Sequence, residues 1–283
     1  MRETAGVMAA AVQLEPRSSI RTTCLVCEAN VDTASDVVRC DACGATFWKA
    51  TGGMLRGTGA ISGVSYPEEG AELTLKVENT SFWFQHRNQV LSTILDRFSP
   101  GGPLWDVGGG NGYQALHFQQ QGRTVLMVEP GAKGCHNART RGVANVVLGT
   151  LESLRLPGGS VAACSALDVI EHLERPQELL GECRRVLRTG GRLFITVPAH
   201  NFLWSDEDIF ACHRRRYTAK SLRLELERAG FRLEYLSYYF QFLSLPIFFL
   251  RALPFRLAFW KMPSTTMDQR EHAPGGIARQ IIG

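Results

Sequence analysis

The stretch that decides the fold is residues 104–113, Leu-Trp-Asp-Val-Gly-Gly-Gly-Asn-Gly-Tyr. It begins as an apolar run of strand length and leads into a helical pattern over 112–121. Glycines between a strand and a helix let the backbone turn tightly and approach a ligand closely, because no Cβ intervenes. The helix that follows offers free backbone N–H groups at its start. We therefore expect a ligand site at this loop.

The spacing of the glycines limits the class of ligand. Gly108, Gly110 and Gly112 form a G-x-G-x-G pattern, with Tyr113 where the last glycine of a dinucleotide motif, G-x-G-x-x-G, would stand. This difference disfavours a nicotinamide-dependent dehydrogenase.

Two carboxylates accompany the glycine loop. Asp106 precedes the glycines and can hold an ammonium group, whereas it would repel a pyrophosphate. Glu129 ends the next apolar run, 123–128, where an acid can bind two ribose hydroxyls. The alternative is that both are solvated carboxylates at the ends of strands.

Apolar runs and helical patterns alternate along the rest of the chain, which predicts parallel βαβ units in a doubly wound α/β fold. The predicted strands are 103–107, 123–128, 144–148, 161–166, 192–197 and 231–239. The predicted helices are one ending near Phe98, then 112–121, 131–140, 168–188 with a break near Pro176, and 218–229.

Four motifs in this order resemble those of class I S-adenosylmethionine-dependent methyltransferases, most closely the type 11/12 methyltransferase domains. They are Asp106–Gly112, Glu129, 165–173 (Ser-Ala-Leu-Asp-Val-Ile-Glu-His-Leu) and 187–194 (Leu-Arg-Thr-Gly-Gly-Arg-Leu-Phe). The resemblance covers about residues 81–240. It implies a Rossmann-like, mostly parallel sheet of order 3-2-1-4-5-7-6 with flanking helices. The final antiparallel strand of that family is not visible in this sequence, so either the sheet is incomplete, the chain is truncated, or residues from elsewhere, such as Val37 and Val38, cover the edge.

The resemblance also implies where S-adenosylmethionine would bind. Its methionine end would lie over the glycine loop and its ribose on the acid of the second strand. Adenine would lie after the third strand, the loop after the fourth strand would close over the cofactor, and an arginine would reach the cofactor carboxylate. The residues concerned are Arg87, Asp106, Gly108, Gly110, Gly112, Glu129, Thr150, Leu151, Leu167 and Asp168.

Cysteines form a second motif near the beginning of the chain. Four of the eight cysteines form two C-x-x-C pairs separated by twelve residues: Cys24, Cys27, Cys40 and Cys43. Two such turns can present four thiolates tetrahedrally, which suits zinc. With every position filled by protein, the ion would be structural and would hold together a small zinc-ribbon-like module. The alternatives are a redox dithiol or four unligated cysteines.

The segment after the predicted fifth strand corresponds to the acceptor-facing surface of the methyltransferases that this chain resembles. His200, Asp208 and His213 are the candidates for a base or for orienting the acceptor. The alternative is that His213 and the arginines that follow it only tether this segment to the sheet.

These patterns predict five regions and a location. The regions are a flexible N-terminus (1–20), the zinc-ribbon-like module (21–52), a linker (53–80), the methyltransferase domain (81–240) and an apolar helical C-terminal extension (241–283). No apolar leader is visible, so we expect a cytoplasmic location. The aromatic C-terminal segment either packs on the domain or contacts a membrane surface.

The resemblance predicts methyl transfer to oxygen, nitrogen or carbon of a small-molecule or lipid-like acceptor. The first alternative is RNA methylation with the ribbon as RNA-binding module, which the mild net charge of +4 does not favour. The second is a non-catalytic cofactor-binding scaffold. The sequence does not predict the oligomeric state.

Overall fold

A computed structural model describes residues 24–27, 29–31, 35–49, 54–57 and 68–257. Its strands are β1 (Val37–Arg39), β2 (Thr46–Lys49), β3 (Leu55–Arg56), β4 (Leu104–Val107), β5 (Val125–Glu129), β6 (Val146–Leu148), β7 (Val161–Leu167) and β8 (Leu187–Thr196). Its α-helices are α1 (Glu68–Val77), α2 (Phe82–Phe98), α3 (Tyr113–Gln120), α4 (Ala132–Arg141), α5 (Pro176–Val186), α6 (Asp206–Phe210), α7 (Ala219–Arg228), α8 (Ser244–Ile247) and α9 (Leu253–Arg256).

The strands form one sheet of order β1-β2-β3-β6-β5-β4-β7-β8. Five of these strands, in the order β6, β5, β4, β7 and β8, each pair in parallel with the next. Numbered within the domain, they have the order 3-2-1-4-5, so the predicted Rossmann-like, mostly parallel sheet with flanking helices is confirmed.

Burial explains why the central strands have nearly continuous apolar sequences. Every residue of β4, β5 and β7 is buried, as expected for parallel strands covered on both faces. One core cluster packs Trp105 and Leu126 against α5 and α7, whereas the other packs Phe118 and Met127 with α2 and α4. The carboxyl ends of β4, β5 and β7, which carry the candidate site, are therefore held by packing on both faces.

The cysteine segment belongs to the same sheet. β1, β2 and β3 pair antiparallel, and β3 then pairs in parallel with β6, with Leu55 opposite Val147. The segment predicted as a linker, 53–80, thus contains β3 and α1, although the domain boundaries themselves stay predictions. The predicted N-terminus, 1–20, lies outside the described residues.

Two predicted elements differ in the structure. The helix predicted over 168–188 begins at Pro176, because the preceding residues form the turn after β7. The strand predicted over 231–239 is wrong, since these residues pair with no strand of the sheet. A cavity of about 840 Å³ separates them from β8, bridged by an ion pair between Arg192 and Glu234. Within the described residues the sheet ends at β8, so no final antiparallel strand follows it.

The apolar C-terminal segment is helical without a gap over residues 244–256. α8, a π-helical turn over Phe248–Ala252 and α9 follow one another, and Leu243 and Ala252 are buried. Among the described residues, no helix has both the length and the apolar character needed to cross a membrane. The predicted localisation, cytoplasmic with membrane association through this segment, is therefore wrong. Residues 258–283 of the predicted extension lie outside the described part of the chain.

Candidate functional site

The glycine loop joins β4 to α3 at the carboxyl edge of the sheet. Gly108, Gly110 and Gly112 all have positive φ angles, of 74°, 55° and 75°, which side chains rarely adopt. A Cβ on Gly110 would meet no atom within 4 Å, so it would point into the open space in front of the loop. The loop therefore leaves its backbone accessible at this point.

Asp106 lies at the end of β4 beneath the loop and is 1% exposed. Its Oδ1 atom accepts a hydrogen bond from the Ser165 hydroxyl at 2.7 Å. Its Oδ2 atom is buried and has no hydrogen-bond partner among the described residues. Burial raises the pKa of this carboxyl to about 6, against the smaller opposing effects of Ser165 and Arg87. The free oxygen is an acceptor that requires a donor, preferably a cationic one.

Glu129 ends β5 on the other side of the loop. Its carboxylate accepts hydrogen bonds from the backbone N–H of Gly110 at 2.9 Å and of Gly131 at 2.7 Å. Burial raises the pKa of Glu129, and these two bonds oppose that effect. The side chain is thus fixed against the loop where the predicted ribose would lie.

Arg87 and Asp168, both predicted cofactor residues, form an ion pair with each other. Arg87 comes from α2 and is 6% exposed, and its Nε atom has no hydrogen-bond partner within the described residues. Asp168 follows β7 in a left-handed conformation with φ of 56°, held by a 2.7 Å hydrogen bond from the Thr196 hydroxyl. Leu167, before it, is buried at the end of β7.

Thr150 and Leu151, the predicted adenine residues, follow β6 at the same edge of the sheet. The backbone N–H of Thr150 donates to the Ser153 hydroxyl at 3.0 Å. Leu151 is fully buried in the core. All the predicted cofactor residues therefore lie at or near the carboxyl edge of the parallel strands, except Arg87, which reaches that edge from α2.

Asp208 and His213, two of the candidate catalytic residues, contact each other. Asp208 is fully buried, and its Oδ1 atom lies 2.8 Å from both His213 Nδ1 and Arg216 Nε. Its Oδ2 atom accepts from the backbone N–H of Ser205 at 2.9 Å and completes the capping box of α6. Burial acts to raise the pKa of Asp208, but the hydrogen bonds from His213 and Arg216, the charge of Arg216 and the bond from Ser205 together lower it. This carboxylate therefore orients His213, and no oxygen faces solvent.

His200 has a different environment from these two residues. Its backbone has a positive φ of 65°, and its ring stacks on Tyr238 with centroids 4.9 Å apart. The bridge between Ala199 and Tyr217 holds this segment beside the loop that carries His213. The structure does not bring the three predicted side chains into one contact group.

Two sets of residues lie outside the predicted site: Glu171 and His172, which the sequence favoured as structural or cofactor-adjacent residues, and an aromatic cluster. Glu171 and His172 follow β7, and His172 lies against His213 with ring centroids 4.8 Å apart. Burial lowers the pKa of His172 to about 4. The second set is an aromatic cluster in which Phe240 stacks on Trp83 at 4.0 Å. The pair of an acid and a histidine directly after a buried strand was a signal for the first set; nothing in the sequence pairs Trp83 with Phe240.

The four cysteines converge as predicted. The Sγ atoms of Cys24 and Cys43 are 3.6 Å apart, and those of Cys27 and Cys40 are 3.5 Å apart. All four lie within 4.8 Å of one another. Thiolates around a tetrahedral zinc ion, with bonds of about 2.3 Å, are separated by about 3.8 Å. The arrangement fits a four-thiolate metal site.

The residues of the glycine loop also fit S-adenosylmethionine. The unpartnered, buried oxygen of Asp106 suits an ammonium group, and the ordered carboxylate of Glu129 suits a ribose. The Cβ-free face at Gly110 leaves room for the ligand between them. A pyrophosphate would meet Asp106 with like charge, which agrees with the sequence-based exclusion of dinucleotides.

Comparison with known proteins identifies the central part of the chain. A family described as "Methyltransferase domain" matches residues 105–195. A "Probable S-adenosylmethionine-dependent methyltransferase" of Mycolicibacterium smegmatis is 30% identical over 158 residues, which cover 54% of this chain and 61% of that protein. One of Mycobacterium tuberculosis is 31% identical over 161 residues, covering 56% of this chain and 57% of that protein. The chain thus spans less than two thirds of the length of these relatives.

Among solved structures, a "SAM-dependent methyltransferase, possible histamine N-methyltransferase" from Thermotoga maritima is 25% identical. The match covers 58% of this chain and 78% of that chain, with a TM-score of 0.48. The family match and the mycobacterial relatives agree with the predicted resemblance. Residues 105–195 thus form a methyltransferase domain, similar to those of S-adenosylmethionine-dependent methyltransferases.

Proposed function

We propose that the whole chain transfers a methyl group from S-adenosylmethionine to a small-molecule or lipid-like acceptor with an apolar or aromatic body. The observation that carries the cofactor half of this proposal is the buried Oδ2 atom of Asp106, which has no partner among the described residues and lies beneath an open glycine loop. An unpartnered buried carboxylate oxygen is costly, and a bound ammonium group would remove that cost.

Each of these residues would bind a different part of the cofactor. Asp106 would bind its ammonium group, Glu129 its ribose hydroxyls, and the backbone at Thr150 and Leu151 its adenine. Arg87 would bind its carboxylate by exchanging part of its contact with Asp168. When bound, S-adenosylmethionine supplies an electrophilic methyl carbon on a sulfonium. The protein then has to align the acceptor atom with that carbon and to exclude water.

The aromatic cluster supports the proposed class of acceptor. Phe240 contacts Trp83, His86 and Tyr239, with ring centroids 4.0, 5.1 and 5.3 Å apart. Tyr239 is close enough to the pair of Arg87 and Asp168 for both charges to act on its hydroxyl. Aromatic faces beside the cofactor residues favour an acceptor that can stack or pack against them.

His213 is the proposed base where the acceptor carries a proton, because Asp208 fixes its Nδ1 atom. His200, stacked on Tyr238, is proposed to contact the acceptor body. Asp208 itself is proposed to position His213 rather than to accept a proton. We propose that the four cysteines hold a structural zinc ion.

The test uses S-adenosylmethionine labelled in its methyl group, the purified chain and a cell extract separated into organic-soluble, small polar, RNA and protein fractions. We expect label in the organic-soluble or small polar fraction, and none with Asp106→Ala. Trp83→Ala should reduce labelling while cofactor affinity stays within about twofold. Label in RNA would overturn the acceptor class. Cofactor binding without label in any fraction would favour the cofactor-binding scaffold, and absence of cofactor binding would overturn the whole proposal.

A further inference from the structure

Glu171 is a buried carboxylate that the proposed transfer does not use. It is 0% exposed, and neither of its oxygens accepts a hydrogen bond from another described residue. An isolated buried carboxylate is among the most costly groups in a protein interior unless a proton or a cation neutralises it. The side chain therefore requires a positively charged partner or a proton.

Two imidazoles lie beside this carboxylate. Ligand atoms of Glu171, His172 and His213 are all within 4.8 Å of one another. The backbone holds the three residues together, because Arg214 donates its N–H to the carbonyl of Glu171 at 2.9 Å and its Nε–H to the carbonyl of His172 at 3.1 Å. Around an ion with bonds of about 2.1 Å the ligand atoms would lie about 3.4 Å apart, so the three side chains would have to approach one another by up to about 1.4 Å when the ion binds.

The second nitrogen of His213 is already fixed. Asp208 Oδ1 lies 2.8 Å from Nδ1, which leaves Nε2 for a ligand. A histidine that binds a metal usually donates its other N–H to a carboxylate or a carbonyl, which sets the tautomer and orients the ring. Asp208 is fully buried, so this orientation is well defined.

The neighbouring arginines do not compete for the carboxylate of Glu171. Arg214 donates to the carbonyl of His172, and Arg215 donates to the carbonyls of Leu173 and Glu174. Arg216 is bound to Asp208 and to the carbonyl of Ala199. Each guanidinium is thus directed at another acceptor, and the space between the acid and the two imidazoles is left to a smaller cation.

We infer that Glu171, His172 and His213 bind a divalent first-row transition-metal ion, distinct from the ion proposed for the cysteines. One carboxylate and two imidazoles form a ligand set that suits zinc, manganese and iron(II), and three protein ligands leave coordination positions open. If the proposed transfer uses a hydroxylated acceptor, an open position would bind its oxygen and lower its pKa; the ion would then replace His213 as the activating group, because both nitrogens of His213 would be engaged. That last step rests on the proposed function, whereas metal binding does not.

The test counts metal ions without using cofactor or turnover. Elemental analysis gives the ions present after purification, and a Mn²⁺ titration followed by the electron paramagnetic resonance of free Mn²⁺ gives the ions added. Four thiolates bind Mn²⁺ poorly, so the titration reports oxygen and nitrogen sites. The total number of ions per chain is the number present after purification plus the number of Mn²⁺ ions added. This total should be larger by about one in the wild type than in Glu171→Gln or His213→Ala.

His136→Gln, at an exposed position on α4, is the matched control and should keep the wild-type total. Added Mn²⁺, which the four thiolates bind poorly, should raise the melting temperature of the wild type but not of Glu171→Gln. Gln is a neutral side chain of nearly the same size and shape as the buried carboxyl, so this variant should fold about as stably as the metal-free wild type. Equal totals in the wild type and Glu171→Gln would overturn the inference, whether or not methyl transfer is detected.

Discussion

Ser165 on β7 donates its hydroxyl to Asp106 on β4 at 2.7 Å, and so fixes one oxygen of a buried carboxylate while the other oxygen lies without a partner among the described residues. The two strands are neighbours in the sheet, with Asp106 opposite Ser165. The orientation of the free oxygen is therefore set by the strand register before any ligand arrives.

The first prediction is a loss of cofactor affinity in acid. Burial raises the pKa of Asp106 to about 6, so in the free protein this carboxyl takes up a proton as the pH falls through 6. The charge of Arg87 acts to lower the pKa of Asp106, and the charge of Asp106 acts to raise the pKa of Glu129. Binding of an ammonium group needs the ionised form, so affinity should be about tenfold lower at pH 5 than at pH 7.5.

Calorimetric titration with S-adenosylmethionine at both pH values checks this expectation. Asp106→Asn should bind weakly at both and show a much smaller pH dependence. A wild-type affinity that does not change between pH 5 and pH 7.5 would contradict the assignment of Asp106 to the ammonium group.

The second prediction concerns Glu129, whose carboxylate joins the glycine loop to β5. Glu129→Gln keeps the shape but removes the charge and one acceptor, so either Gly110 or Gly131 loses a charge-assisted hydrogen bond. The dissociation constant for S-adenosylmethionine should rise by about 10- to 100-fold. Glu152→Gln, at an exposed position, is the control. Unchanged affinity in the Glu129 variant would exclude it from the ribose site.

The third prediction separates two reasons for a glycine at position 112. A Cβ there would lie 2.6 Å from the Cβ of Ala138 and 3.0 Å from its Cα, and φ is 75°. Gly122 has a similar φ of 83° but no atom within 4 Å of a Cβ. Gly122→Ala should lower the free energy of unfolding by about 1–2 kcal/mol through strain alone. Gly112→Ala should lower it by about 3 kcal/mol or more. Equal losses in denaturant titrations would show that close packing of α3 on α4 contributes nothing.

The fourth prediction concerns the cysteine site. Cys27→Ser should reduce the zinc content by about one ion per chain and lower the melting temperature by about 5 °C or more, because metal binding stabilises the fold that presents the ligands. Cys212→Ser, which replaces an exposed cysteine outside the cluster, should change neither value. An unaltered zinc content in Cys27→Ser would exclude a four-cysteine site.

Prediction from the sequence was most successful where local pattern and tertiary structure depend on the same residues. The run Leu104–Val107 ahead of the glycines predicts β4, because a parallel strand buried on both faces must be apolar throughout. Spacing alone predicted that the four cysteines converge, since each C-x-x-C turn presents two thiolates together.

Other features depend on contacts that no local pattern encodes. β3 contains only Leu55 and Arg56, and it pairs with β6 because the tertiary path of the chain brings these two residues beside that strand. Residues 231–239 have the composition of a strand, but the cavity beside β8 leaves them without a partner strand. The burial of Glu171 could not be predicted either, because an acid after a strand is usually solvated.

The pairing of Leu55 with Val147 has a consequence for the behaviour of the molecule in concentrated solution. Without β3, the outer edge of β6 would present unpaired N–H and C=O groups, which is a template for strand addition by another copy. With it, the sheet ends at β1, whose three residues are too short to template such growth. Within the described residues the cysteine segment thus covers one side of the parallel sheet, whose other edge is β8, and damage to this segment should appear as concentration-dependent turbidity.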